Sequence, residues 1–417
     1  MRIALVGPFM GSSLAGLFDF GDARTALPAG YPGAPVMAAL ARALADRGHT
    51  VAAISTDYRA PSSAPFPYER FRADGLELYF CPQRARGFRY ADGRWGRAMD
   101  LFARERQALT AAIHDFAPDI VHAHWTYEFV WAALDSGYPT LATAHDSPLK
   151  VLRFMPDLYR AMRFIMARRV IPRCEHLTAV SPDLASDLAR FASVPIRVVP
   201  NPVTATLLQG PGCRPPDVES PQAMMVLNGW NGLKNGMQAL RAHARARGRC
   251  PGLRLVCFGT DWQVEGPAHQ WARRAGLEAG VEFRGPVPRE VILETMRTST
   301  LLLHPSRAEA CSMAIAEAMS VGLPVVAGRR TDGVSWQLDG GRAGMLVDVN
   351  DPDDMASGVV ALATDRARWA DVSARSRARS RELFSEDSVL DGYLRAYDEV
   401  LGSTRQSRGA GVVTCAQ

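Results

Sequence analysis

What most constrains this chain is an alternation of short apolar runs with helix-like segments that breaks once and then begins again. Residues 3–6 are followed by a long glycine-containing loop and by 36–47, where alanine and leucine recur at helical spacing. Gly48 stops that helix, and 49–55 reads as a second strand. Further strands are expected at 119–122, 140–144, 177–180 and 196–199. Apolar strands separated by helices require a parallel sheet covered on both faces. Residues 200–221 are rich in proline and glycine and carry neither period, as a domain boundary does. The alternation then restarts, with strands expected at 223–227, 253–258, 281–283, 300–304 and 324–327 and a helix over 388–401. The reading is α/β. An N-terminal doubly wound domain over 1–203 precedes a C-terminal one over 204–385; a helix over 386–403 follows, and 404–417 is a disordered tail. In doubly wound sheets ligands bind outside the carboxyl ends of the strands, so function is sought there.

Composition excludes several classes. The chain has 417 residues, enough for two or three domains of about 150 each. Its seven cysteines are odd in number and form no CxxC pair, which argues against a disulfide framework or a zinc site and fits a reducing cytoplasm. The net charge of +5 comes from arginine-rich helices rather than a basic stripe with interleaved aromatics, so nucleic acid is not the expected partner. No run of about 18 uncharged apolar residues is present to span a membrane. The first apolar run is too short for a signal peptide and is expected to be a buried strand. No G-x-G-x-x-G follows either opening strand, which disfavours a dinucleotide oxidoreductase.

The most informative segment is Pro305-Ser-Arg307-Ala-Glu309-Ala-Cys-Ser312-Met313-Ala-Ile-Ala-Glu317-Ala-Met. It follows an apolar strand, so 305–312 is a loop at a carboxyl strand end. Helix formers then run to a stop at Gly322-Leu-Pro324. Amides at the start of that helix, near Ser312 and Met313, are suited to a diphosphate. On spacing alone, a surface loop leading into an amphipathic helix fits equally well.

The segment resembles the E-x7-E motif of the family 4 (group 1) retaining glycosyltransferases of the GT-B fold. The match includes the preceding Pro-Ser and the following Glu-Ala-Met-x-x-Gly-x-Pro-Val-Val. The resemblance implies two Rossmann-like doubly wound domains facing each other across a cleft, with the helix over 386–403 packing back on the N-terminal one. It implies that Glu309 hydrogen-bonds the hydroxyls of the transferred sugar and that Glu317 binds the ribose of the nucleotide. His145, in Thr-Ala-His-Asp, is similar to the family's first-domain histidine that contacts the donor sugar, whereas His122 and His124 are expected to be structural. Val199-Pro-Asn-Pro-Val203 and the last helix with Tyr393 and Tyr397 fit as well, so the resemblance covers roughly residues 1–400.

Two departures stand out. Lys234 is the expected diphosphate ligand, but the arginine that the family carries five positions earlier is Gly229 here; Arg307 is the nearby candidate to replace it. The first-domain glycine loop is long, and the stretch Gly30-Tyr-Pro-Gly33 is the candidate for its phosphate side, with 11–20 able to cover the acceptor. Asp351-Pro-Asp353 has the look of a metal-binding D-x-D, but before a helix it reads as capping, and no metal or other cofactor is expected.

The resemblance thus implies an enzyme moving a sugar, with retention, from a nucleotide-sugar to a glycan or lipid-linked acceptor, in polysaccharide or glycoconjugate biosynthesis. A catalytically inactive binding module of the same fold, or a nucleotide-sugar epimerase, is the alternative. The basic and apolar stretch 150–173 suits the anionic inner face of a cytoplasmic membrane, or else a core helix with its arginines in water.

Overall fold

The computed structural model describes residues 1–18, 26–31, 35–60, 66–91, 93–215 and 217–412. They divide into two units, one of residues 1–180, 184–202 and the segment from 386 onward, the other of 181–183 and 203–385.

The first unit is built on β1 (Arg2–Val6), β2 (Thr50–Asp57), β3 (Glu69–Ala73) and β4 (Leu76–Pro82). After a small hairpin of β5 (Tyr90–Ala91) and β6 (Arg94–Trp95) come β7 (Ile120–His124), β8 (Thr140–Ala144), β9 (Leu177–Ala179) and β10 (Ile196–Val198). The sheet runs β10-β9-β8-β7-β1-β2-β4-β3. Its strands are parallel throughout except β3, which lies antiparallel on β4. Ile3, Ala4, Leu5 and Val6 are all fully buried, as helices on both faces of a parallel sheet demand. The β3–β4 hairpin was not among the expected strands. Its two-residue turn, Asp74-Gly75 with Gly75 at φ +72°, is a hairpin signal. β3 itself has one aromatic among charged residues, as suits an edge.

The second unit carries β11 (Gln222–Val226), β12 (Arg254–Phe258), β13 (Val281–Gly285), β14 (Leu301–His304), β15 (Val325–Gly328) and β16 (Met345–Val347). Its all-parallel order is β13-β12-β11-β14-β15-β16. In each unit the first strand is flanked on its two sides by strands reached by opposite winding: β1 by β2 and β7, β11 by β12 and β14. That is the switch point at which loops part and a ligand can sit.

The last helix corrects one expectation. It spans Glu386–Val412, running past the point where a disordered tail was expected from 404. No proline follows Gly402, a glycine alone costs a helix only about 1 kcal/mol, and the Ser403 and Thr404 hydroxyls both donate to the Val400 carbonyl. This helix belongs to the first unit, where Tyr393 and Tyr397 are fully buried against β7. Alternation along that strand sends His122 and His124 to one face, their rings 4.2 Å apart. His122 Nδ1 lies 2.8 Å from the Tyr397 hydroxyl and its Nε2 lies 2.7 Å from Thr143 Oγ1. His124 Nδ1 lies 2.8 Å from Nε2 of His145, just beyond β8, and the two rings stack. Burial pushes the pKa of His145 down to about 4 and that of His122 to about 3, and holds His124 well below its ordinary value.

Two outcomes follow from this cluster. Tyr397→Phe removes the partner of a buried ring nitrogen and should cost the first unit about 1–3 kcal/mol, read as a lower melting temperature; an unchanged transition would show that the hydroxyl is not needed. Histidines with depressed native pKa values leave the unfolded chain binding more protons, so stability should fall as pH drops from about 6.5 toward 4. Melting temperatures measured between pH 7.5 and 5 test this, above the range where carboxylates titrate. A flat or rising profile would contradict the neutral histidine cluster.

Candidate active site

Adjacency of β11 and β14 places two loops side by side in the second unit. The loop after β11 is shaped by Asn231, whose side-chain oxygen accepts from the amides of Leu233 and Lys234, each at 3.1 Å. Asn235 follows in a left-handed conformation, φ +57°, and is buried. Its Nδ2 donates to the Pro305 carbonyl at 3.1 Å and to the Val349 carbonyl at 2.6 Å, tying together the loops after β11, β14 and β16. The next residue has to be glycine: a Cβ on Gly236 would meet the Trp262 ring at 2.5 Å.

The loop after β14 supplies the carboxylates. Lys234 Nζ donates to Glu309 Oε1 at 2.6 Å, with both side chains mostly buried. His304 Nε2, at the end of β14, is 3.3 Å from the same oxygen. Burial alone pushes the Glu309 carboxyl up, but the Lys234 ammonium and His304 outweigh it and hold Glu309 well below the usual carboxylate range. Ser312 caps the helix Met313–Ser320, its hydroxyl accepting from the Ile315 amide at 3.4 Å. The Ser312 amide, expected to be open to a diphosphate, instead donates to Gln337 Oε1 at 2.9 Å. Met313 and Ala314, the first two residues of the helix, have no amide acceptor among the described residues, so the donors there lie one residue further on than expected. Glu317 is buried within this helix, and Arg289 grips its Oε1 from Nε at 2.9 Å and from Nη2 at 2.6 Å.

Arg307, the candidate to replace the missing arginine, is tied into the Lys234 loop. Its Nε donates to Asn350 Oδ1 and its Nη1 to the Gly232 carbonyl, both at 2.9 Å, so its guanidinium clamps the Lys234 loop from the side. Gly229 stands at φ +96°, which disfavours any larger residue there. Trp230 beside it packs on Trp262 and Trp271, with ring centroids 5.4 and 5.5 Å away. Asp351 is a helix cap, accepting from the Asp353 amide at 2.8 Å, while Asp353 pairs with Arg245. Arg289 and Asn235 were not singled out from the sequence. Asn235 follows Lys234 directly but carries no spacing signal, and Arg289 is distant in sequence from Glu317 and meets it only once the sheet is formed.

The remaining expected residues lie in the first unit. His145 sits at the end of β8 as a neutral ring. Gly33 lies outside the described residues. The preceding turn is pinned by the Gly30 amide on Asp57 Oδ1 at 3.0 Å and the Tyr31 amide on the Phe9 carbonyl at 2.8 Å. The stretch expected to face a membrane is two helices, Pro148–Phe154 and Leu158–Val170. Many of its cations are engaged within the unit: Lys150 with Asp187, Arg160 with Asp157, Arg163 with Glu128 and Arg173 with Asp135. No helix among the described residues is long and apolar enough to cross a membrane.

Residues 34–207 match the model of Glycosyltransferase Family 4, and residues 224–365 match that of Glycosyl transferases group 1. A D-inositol 3-phosphate glycosyltransferase of Rhodococcus erythropolis is 28% identical over 303 residues, which is 67% of each chain. A shorter match, 29% identical and spanning 40% of either chain, is to a protein of the same name from Thermobifida fusca. Among solved structures, a sucrose-phosphate synthase from Thermosynechococcus elongatus superposes with a TM-score of 0.73 at 16% identity, over 96% of this chain and 99% of that one. At that identity the likeness is one of fold, and the fold is GT-B. The chain belongs to the family 4, group 1 glycosyltransferases.

Proposed function

We propose that this glycosyltransferase takes its sugar from a nucleotide-sugar held by the second unit and passes it, with retention and without a metal, to a glycan or glycolipid acceptor. The observation that carries this reading is the Lys234–Glu309 pair beside the open amides of Met313 and Ala314, at the switch point of the sheet. A cation and a helix N-terminus in one place suit a diphosphate. Glu309, held ionised, accepts from hydroxyls of the sugar. Glu317 keeps Oε1 on Arg289 and offers its other oxygen to the ribose. His145, neutral at physiological pH, is the first unit's candidate for a hydrogen bond to a sugar hydroxyl.

In the reaction the bond from the anomeric carbon to the diphosphate oxygen breaks and a bond to the acceptor oxygen forms on the same face. The acceptor's proton passes to an oxygen of the departing diphosphate. Charge therefore grows on that diphosphate, where Lys234 and the two amides are already oriented, so little reorganisation is needed. Assembly of a polysaccharide or glycoconjugate inside the cell is the setting this chemistry suits.

The pairing of Lys234 with Glu309 makes the two residues separable by experiment. In buffer containing EDTA, Lys234→Ala should weaken binding of the nucleoside diphosphate about ten- to a hundredfold, the worth of one charged hydrogen bond. Glu309→Ala should abolish sugar transfer yet leave nucleotide affinity equal or higher, because the lysine is released from its carboxylate. Calorimetry with UDP, GDP and ADP, together with consumption of the matching sugar nucleotides, reads both. Unchanged affinity in the first variant, or unchanged turnover in the second, would overturn the assignment.

A further inference from the structure

His304 closes β14 after Leu301, Leu302 and Leu303, and is only 3% exposed. Its pairing with Ala327 of β15 fixes its backbone in the sheet. Both ring nitrogens are buried, and neither makes a hydrogen bond. Polar atoms left unpaired inside a protein cost stability, and a fourth leucine would end the strand without that cost. Packing therefore does not account for a histidine here. One nitrogen nevertheless faces a partner. Nε2 lies 3.3 Å from Glu309 Oε1, close enough to attract it but not aligned as a hydrogen bond.

That oxygen is already taken. Lys234 Nζ donates to it at 2.6 Å, whereas Glu309 Oε2 has no partner among the described residues. The two groups that meet at Oε1 differ in freedom. Lys234 stands on a loop and carries its ammonium on a long flexible stem, so it can turn toward an arriving diphosphate. His304 has a short side chain on a paired strand and cannot follow. Once the ammonium turns away, a mostly buried carboxylate loses its donor, and an ionised group without a partner is costly in such a place. The imidazole is the group standing next to it. Contacts of this kind are often long or poorly aligned in an empty site and tighten when the ligand binds.

We propose that His304 is a positioning residue for sugar transfer: as Lys234 turns to the diphosphate, the imidazole donates from Nε2 to Glu309 Oε1 and holds the carboxylate with Oε2 free for the sugar. The proposal rests on the reading of Lys234 and Glu309 as donor-site residues and deepens it by naming the group that takes over from the lysine. One hydrogen bond replaces another on the same oxygen, and no covalent bond changes. The ring's proton sits on Nε2, and Nδ1 stays bare.

The test combines calorimetry on the full chain with UDP, GDP and ADP and kcat for consumption of the matching sugar nucleotide. The variants are His304→Leu, His304→Gln, His304→Asn, Lys234→Ala, Glu309→Gln, and Glu309→Gln with His304→Leu added. His304→Leu should keep or raise the melting temperature, because it ends the strand without unpaired nitrogens. It should nevertheless weaken nucleotide binding about three- to thirtyfold and lower kcat at least about tenfold. His304→Gln brings an amide donor to the place of Nε2 and should restore most of both. His304→Asn, whose amide stops short of that place, should show the loss that glutamine repairs, and it carries the test if the leucine variant does not fold. With Glu309→Gln there is no carboxylate to hold, so adding His304→Leu should leave nucleotide affinity unchanged. A merely structural histidine predicts a lower melting temperature in all three single variants of His304, with nucleotide affinity and kcat kept. That result, or an equal loss of affinity with and without the Glu309 carboxylate, would overturn the proposal. The donor-site reading stands in that case if Lys234→Ala still weakens nucleotide binding, and falls with the proposal if it does not.

Discussion

Parallel pairing is the constraint on which the rest of this protein depends. A strand that pairs parallel with its neighbour must return over the face of the sheet, so every loop that leaves a carboxyl end is gathered at one edge of the unit. Where the winding reverses, two such loops stand side by side with no connection over them. In the second unit those are the loops after β11 and β14, and the 2.6 Å contact of Lys234 with Glu309 follows from the pairing of Ala223 with Leu301 and Met224 with Leu302. Residues 75 positions apart thus become one electrostatic unit through strand register.

That unit is held from several directions, as suits a site that must be ready before its ligand arrives. Asn235 bonds two loop carbonyls at once, Arg307 clamps Gly232, and Gln337 takes up the Ser312 amide. Charges oriented in advance and screened from water act more strongly on a bound anion than mobile surface charges do.

Most of the fold was legible in the sequence because buried parallel strands are largely apolar runs, and β1, β11, β12 and β14 are of that kind. β3 was not, because an edge strand such as Glu-Arg-Phe-Arg-Ala has no buried run to reveal it. Glu309 and Glu317 were singled out by the family motif around them, since their spacing at a strand end and a helix start fits an ordinary surface loop and helix as well. Arg289 was not, since an arginine gains its meaning from what stands opposite it after folding, here Glu317. The same reason explains why the arginines of the 150–173 stretch read from sequence either as a surface for lipid or as a core helix with its arginines in water. Arg163 in fact pairs with Glu128, with its guanidinium 3.8 Å from the Tyr127 ring.

The central claim is that the nucleotide's diphosphate rests on the amides and lysine at the switch point of the second unit. Backbone hydrogen exchange, followed by mass spectrometry with and without whichever of UDP, GDP or ADP raises the melting temperature, tests it most directly. Slowed exchange is predicted in two segments, 233–236 after β11 and 313–315 at the start of the helix, with little change in the first unit. Protection confined to other segments, with these two unchanged, would contradict the account.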